Sequence, residues 1–273
     1  RGSIIALPGV PFELKWLFDN EVVPYLLRKF DLNEIISYRI LKIADIGESA
    51  VDDLIGHLIA NSSNPTVGVL AHPGQVDVRI TAKAADAITA MKLIAPVESK
   101  IRKLLGHHVF ASDDETMEDA VGQTLSLNNS TIAVYEDLTG GLVAERLQQG
   151  SADHFLEGVI GNGPMTIRRL LVSSRRPNES DSLSQDPVAL TEELAWAIRS
   201  QTDAELGLAV HSIPGSGEQS ENFGHGQTFI AITNGKRFKT RSYNFAGRGH
   251  PDRIRLSLNA LELVRTTLLD RFE

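Results

Sequence analysis

The sequence predicts an α/β chain, and three observations carry that reading. From residue 131 onward, short apolar runs alternate with stretches of helical period, the order of a layered α/β domain. Residues 35 to 110 read β-α-β-β-α, which predicts a small α+β sheet with helices on one face. Third, the apolar run Thr131-Ile132-Ala133-Val134 passes through Tyr135-Glu136-Asp137-Leu138-Thr139-Gly140-Gly141 into the helical stretch Leu142 to Leu147. Two glycines at a strand-to-helix turn let backbone amides approach a ligand, and the helix N-terminus there favours an anion. Double glycines at such turns are common and most often structural.

Composition sets the limits. The 273 residues leave room for two or three domains. A net charge of -8 argues against a general binder of nucleic acid or anionic membrane. The absence of cysteine removes disulfides, thiol chemistry and Cys-based metal sites. No apolar run approaches the roughly 20 residues that span a bilayer, and no signal peptide is visible; a cytoplasmic protein is expected. Arg1-Gly2-Ser3 runs straight into Ile4 to Leu7 without an initiator Met, so the chain reads as the C-terminal portion of a longer protein.

Taken in order, Ile4 to Leu7 predicts a strand. Pro8 to Pro11 is a turn, and Pro11 suits the first turn of a helix that runs towards Phe30, broken midway near Asp19, Glu21 and Pro24. Ser37 to Ile43 alternates as a half-buried strand does. Ser49 and Asp52 resemble a capping box for a helix over Ala50 to Ala60. Thr66 to Leu70 and Val76 to Thr81 flank the turn at His72 to Gln75, a hairpin signature. A helix over Ala84 to Leu105 follows, with a kink expected at Pro96 and a stop at Gly106. Ser112 to Glu115 reads as an acidic linker whose carboxylates favour the start of a helix over Thr116 to Leu127.

Beyond it come strand Thr131 to Val134, helix Leu142 to Gln149, strand Phe155 to Ile160 and helix Met165 to Val172. Ser173 to Gln185 is polar and reads as a mobile loop. Helix Val188 to Arg199, strand Leu206 to Val210 and a loop over Ile213 to Gly217 follow. Thr228 to Thr233 and Arg237 to Phe245 form a hairpin about Asn234-Gly235, and helix Arg253 to Phe272 ends the chain. There is no internal repeat.

The Tyr135 to Gly141 stretch resembles the signature Ala-Glu-Ser-Cys-Thr-Gly-Gly of the CinA (competence/damage-inducible protein A) family, whose C-terminal domain is a nicotinamide-nucleotide amidohydrolase. Glu136, Thr139, Gly140 and Gly141 match, while the family's catalytic serine falls on Asp137 and its cysteine on Leu138. Leu7 to Lys15 resembles the Leu-Pro-Gly-Val-Pro-x-Glu-Met-Lys motif of the family's N-terminal domain, a molybdopterin-binding-like fold associated with ADP-ribose pyrophosphatase activity. Asn64 to Gly74 is similar to the family's KH-like middle domain. The resemblance therefore implies three parts: the end of a molybdopterin-binding-like domain over 1–34, a KH-like α+β domain over 35–111 and an amidohydrolase-like α/β domain over 116–273. KH domains that grip nucleic acid use a Gly-x-x-Gly loop with basic neighbours. None is found here, and Asp45, Glu48, Asp52 and Asp53 are acidic, so no nucleic-acid partner is expected.

Ligands of open α/β sheets sit beyond the carboxyl ends of strands. Three loops qualify: Tyr135 to Gly141, Gly161 to Pro164 and His211 to Gly226. By the resemblance, the family's catalytic tyrosine falls on Asn162, its lysine on Ile167 and its site threonine on His211. Its substrate-binding frame falls on Thr139, Gly140, Gly141, Gly158 and Gly215, and its arginine on Arg253 or Arg255. An amidase of this type needs an activated hydroxyl nucleophile, and neither Ile167 nor Asn162 acts as a base. The glycine frame survives while the reacting groups are replaced, so the domain is expected to keep the fold and to have lost amide hydrolysis. It would then serve as a nucleotide-binding or structural module.

Asp137 and His211 as a general-base pair is the rival reading, with a rebuilt active site; solvated loop residues are the preferred one. A protein-interaction role in competence or DNA-damage response is a third reading. The remaining histidines lack metal-ligand spacing, and no metal is expected here. A divalent metal belongs only with the N-terminal domain, and no cofactor is expected for the C-terminal one. The implied partners are a small nucleotide such as nicotinamide mononucleotide and a second copy in a homodimer, with no membrane.

Overall fold

The computed structural model describes residues 2–161, 163–174, 184–215, 226–246 and 249–270. Two sheets organise it. The first orders its strands β2-β3-β1-β4, where β1 is Ile35–Ile43, β2 Thr66–His72, β3 Gln75–Ala84 and β4 Val109–Ser112. The second orders them β6-β5-β7-β8-β9, where β5 is Ile132–Glu136, β6 Phe155–Ile160, β7 Leu206–Pro214, β8 Gly226–Thr233 and β9 Phe238–Tyr243. The chain divides into two compact units, each taken by itself below.

One unit comprises Arg1–Arg39, Ile55–Gly68 and Arg79–Leu104. Residues 2–8 form no strand, against expectation: Ile4 and Ile5 are exposed, and an apolar run is a strand only when another backbone completes its hydrogen bonds. Helix α1 (Pro11–Leu17) starts on its proline, as read from the sequence. The expected break before Phe30 is instead a π-helical turn, Phe18–Val22, that leads directly into α2 (Val23–Phe30) with Pro24 in its first turn. A widened turn tolerates a residue without an N–H, so the axis continues. Helix α3 (Glu48–Asn61) lies partly in this unit, as does α4 (Ala87–Leu105), which begins after a strand that runs on to Ala84 and has Pro96 inside it. Strand β3 buries Ile80, Ala82 and Ala84 and turns Arg79 and Lys83 outward, the period-two pattern of its sequence. Lys83 pairs with Glu34, and the Asn64 side chain bonds both the N–H and the carbonyl of Lys83.

The second unit comprises Ile40–Leu54, Val69–Val78 and Leu105–Glu273. Ser49 opens no capping box, because α3 has already started: the Val51 N–H donates to Gly47 O at 3.1 Å. The box sits at α5 (Met117–Leu127), where Thr116 and Asp119 exchange side-chain and backbone bonds. Strand β4 has no sequence pattern of its own and is set by its antiparallel register with β1, Leu41 opposite Ser112. The acidic segment after it is not a loose linker: Asp113 accepts from Ile40 N and Glu115 from Ser112 N.

The five-stranded sheet is parallel across β6, β5 and β7 and antiparallel across β7, β8 and β9. Helices α6 (Leu142–Ser151), α7 (Pro164–Ser174), α8 (Pro187–Thr202) and α9 (His250–Leu269) complete the layers. Alternation along the strands sorts two cores. Ile132, Val134, Leu206, Leu208, Val210 and Ile230 pack with residues of α5, α6 and α9. Ala133, Tyr135, Ala209 and Ala231 pack with Leu170, Leu194 and Ile198 of α7 and α8. The result is three layers with the parallel strands at the centre, all pointing their carboxyl ends at one rim. Strand β7 continues to Pro214, past the predicted end at Val210, because β8 pairs with it out to Gly226.

Candidate functional site

The site begins where β5 ends. Glu136, its last residue, is buried and accepts from the N–H groups of Val143 at 3.2 Å and Ala144 at 2.8 Å. Gly141 is the N-cap of α6 and has no side chain to offer, so the strand supplies the capping carboxylate instead. The anion expected at this helix N-terminus is therefore the protein's own. Gly140 and Gly141 take φ values of 66° and 98°, which favours glycine at both. A Cβ on Gly140 would also lie 2.4 Å from Nη2 of Arg253.

Arg253, in the first turn of α9, donates from Nε and Nη2 to Thr139 O at 3.0 and 2.6 Å. Arg255 does something else: its guanidinium lies 4.7 Å from the Phe245 ring centroid. Of the two candidates, only Arg253 braces the glycine turn. Thr139 itself is fully buried, and its Oγ1 has no partner among the described residues.

Asp137 and His211 are expected as solvated loop residues, and the structure corrects this. The Asp137 Oδ2 lies 2.9 Å from His211 Nδ1, with only 3% of the Asp137 side chain and 12% of the His211 side chain exposed. Parallel pairing of Tyr135 with Ala209 brings the two strand ends level, so residues two further along each chain meet. The carboxylate has further donors. Ser212 N reaches Oδ1 at 3.1 Å and Oδ2 at 2.9 Å, and Leu138 N bonds Oδ1. Backbone N–H donors on this scale compensate a buried carboxylate and fix its plane.

With Nδ1 turned to Asp137, the imidazole presents Nε2 on its other side. That nitrogen is absent from the buried polar atoms that lack a partner, in keeping with the exposed part of the ring. Tyr135, two residues before Asp137 on the same strand, donates to Gly161 O at 2.8 Å. Burial, and then the Asp137 charge, push its phenol far above the ordinary value, so it stays protonated.

The other expected positions separate from this pair. Ile167 is in the α7–α8 core with Leu170 and Leu171, where an alkyl side chain takes no proton. Asn162 lies outside the described residues, as does 216–225 of the third loop. Gly158 is a packing position: a Cβ there would lie 2.9 Å from Ala144 Cβ. Gly215 follows the end of β7, and its N lies 3.0 Å from where a Cβ on Gly226 would sit. Ser212 is the residue the sequence reading missed. Its Oγ is 2.9 Å from Thr228 Oγ1, whose own proton goes to Phe245 O, so Ser212 donates and is no nucleophile. What it gives Asp137 is a backbone N–H, which any residue but proline could supply and which leaves no side-chain signal in the sequence. Among the described residues, no group of three or more histidine or acidic side chains is placed to hold a metal ion.

A layered α/β domain with its polar pair at the carboxyl rim of parallel strands belongs to the open-sheet class. The family comparisons identify it further. Residues 114–268 match the CinA C-terminal domain, and residues 38–111 match the damage-inducible protein CinA KH domain. The chain belongs to the CinA family. Among its relatives, a competence-damage inducible protein of Clostridium botulinum (strain Kyoto / Type A2) is 35% identical over 268 residues, covering 97% of this chain and 64% of that protein. One from Clostridium kluyveri (strain ATCC 8527 and others) is 34% identical over 273 residues, covering 98% and 65%. The chain thus spans less than two thirds of these relatives' length. A competence or damage-inducible protein from Enterobacter asburiae, solved by crystallography, aligns at 18% identity and a TM-score of 0.44, over 59% of this chain and all of that one. No described helix is long and apolar enough to cross a membrane.

Proposed function

We propose that the C-terminal domain binds a small nucleotide such as nicotinamide mononucleotide at the rim formed by Asp137, Thr139 and His211, and that it has lost the family's hydroxyl-nucleophile route to amide hydrolysis. One observation supports this above the others. The position that resembles the catalytic serine holds a carboxylate whose two oxygens are engaged by His211 Nδ1, Ser212 N and Leu138 N. A group so saturated is a poor nucleophile, and the lysine position, Ile167, is part of a core. The whole protein is then a cytoplasmic homodimer of pyridine nucleotide recycling, with an ADP-ribose pyrophosphatase-like N-terminal domain that takes any divalent metal. Calorimetric titration with nicotinamide mononucleotide tests the binding step, and saturable heat is expected. A flat titration with this nucleotide and with its carboxylate product sinks the reading. The competence- and damage-related role named for the relatives is then what remains.

A further inference from the structure

We infer that a cavity at the amino ends of β5 and β7 is a second binding site, for a small aliphatic α-amino acid. It lies at the rim opposite Asp137 and His211 and does not depend on the nucleotide reading. The cavity measures about 320 Å³, at the lower end of the range for small-ligand sites. Its wall includes Leu206, the first residue of β7, and Asn234, which follows the last residue of β8. Arg199 reaches it from α8, and Thr267 and Leu268 from α9, helices that pack on opposite faces of the sheet.

The polar groups of the wall sort into donors and acceptors. Arg199 spends Nε on the Glu205 carbonyl at 3.1 Å, and its two Nη groups have no bond or ion pair among the described residues. The guanidinium lies against the Asn234-Gly235 turn, where a Cβ on Gly235 would be 2.8 Å from Nη1. Asn234 Oδ1 accepts from Lys236 N and Arg237 N, each at 3.0 Å. That fixes the amide and leaves Nδ2 as a donor beside the arginine. The acceptors lie on the neighbouring turn. Asn128 spends Nδ2 on Thr124 O at 2.8 Å, which leaves its Oδ1. Glu205 gives Oε2 to the Thr131 N–H at 2.8 Å and to the Thr131 hydroxyl, which leaves its Oε1. Those bonds hold its carboxyl below the ordinary value, so it is ionised at neutral pH.

Arg199 and Glu205 are the charged residues of this wall, and their charges cancel. A simple anion would meet Glu205, a simple cation would meet Arg199, and a polyphosphate would gain nothing. A carboxylate and an ammonium on one carbon suit both: Arg199 and Asn234 donate to the first, and Glu205 and Asn128 accept from the second. Leu206 and Leu268 give the side chain an apolar wall. Thr267 is the second sign of a ligand. It is fully buried, and its Oγ1 has no partner among the described residues. A helical threonine usually bonds a carbonyl one turn back, as Thr266 does with Glu262 O at 2.8 Å. Threonine divides between two χ1 wells in a helix, so this hydroxyl can turn onto a ligand.

Calorimetric titration of the chain with L-leucine and with L-valine tests the site. Saturable binding of at least one is expected, and no saturation by either at about 10 mM overturns the inference. The analogue of the binder without its amino group, and the analogue without its carboxylate, should each bind about 10-fold more weakly or worse. Equal affinity for either analogue overturns it. Asn234→Asp keeps the oxygen that closes the turn and sets an anion against the ligand carboxylate. It should weaken the amino acid by about 10-fold or more with Tm unchanged, and unaltered affinity overturns the site. Glu205→Gln should weaken the amino acid and strengthen the analogue that lacks the amino group, a reversal that damage to the fold would not produce. A parallel loss of both overturns the assignment. Excess nicotinamide mononucleotide should leave the amino acid bound, and displacement would put it at the other rim and overturn the inference.

Discussion

Thr139 presents a hydroxyl that the fold has buried and left without a partner among the described residues. Such a group costs about 1–3 kcal/mol in lost solvation unless something bonds it. Its backbone carbonyl is fully used by Arg253, so the turn keeps its shape whatever the side chain does. Valine has the same outline as threonine without the oxygen. Thr139→Val is therefore expected to leave thermal stability unchanged or raise it by up to about 1 kcal/mol. At the same time it should weaken nicotinamide mononucleotide by about 5- to 10-fold, the worth of one hydrogen bond. Thermal unfolding and calorimetry on one sample read both. Lowered stability with unaltered affinity would show that the hydroxyl serves the fold and not a ligand.

At the scale of elements, α6 depends on a residue outside itself. Glu136 supplies two backbone N–H groups with their acceptor, and the carboxylate also faces the positive end of the helix. Glutamine keeps the shape but turns an NH2 group on one of those donors. Glu136→Gln should cost about 1–2 kcal/mol in urea unfolding, and a loss below a few tenths would refute the capping role. The sequence showed where this helix starts and that the glycines mark the turn. It did not show the cap, because Ser, Thr, Asn or Asp at the N-cap is the usual signal and here the cap lies five residues upstream of Gly141. Two other features were equally legible: β3 follows its alternation, and the β8–β9 hairpin turns about Asn234-Gly235. Ile4 to Leu7 has the composition of a strand and no pairing, and β4 has pairing without the composition. The Asp137–His211 contact joins residues 74 positions apart. Only the parallel register of β5 and β7 makes it, and register between distant strands leaves no local trace.

At the scale of the whole molecule, buried charge and surface caps give opposite responses to acid. Glu262 and Arg265 form a bidentate pair on α9, and Arg265 also reaches His107 O. Burial raises the Glu262 carboxyl above its ordinary 4.5, more than Arg265 lowers it. A raised acid binds its proton more tightly folded than unfolded, so its contribution grows as pH falls through its folded value and towards 4.5. Asp119 is the reverse. Bonds from the Thr116 hydroxyl and N–H hold it below its ordinary 3.8. Its contribution is present above 3.8 and is lost as pH falls through its folded value. The two are separated by substitution. The advantage in Tm of the unmodified chain over Glu262→Gln should widen as pH is lowered from about 7 to about 4.5. Its advantage over Asp119→Asn should hold over that range and narrow only below about 3.8. Thermal unfolding of the three proteins across both windows checks the signs. If the Glu262→Gln gap narrows on acidification, then the Arg265 charge outweighs burial, and the α9 pair stabilises this domain as an ion pair at neutral pH.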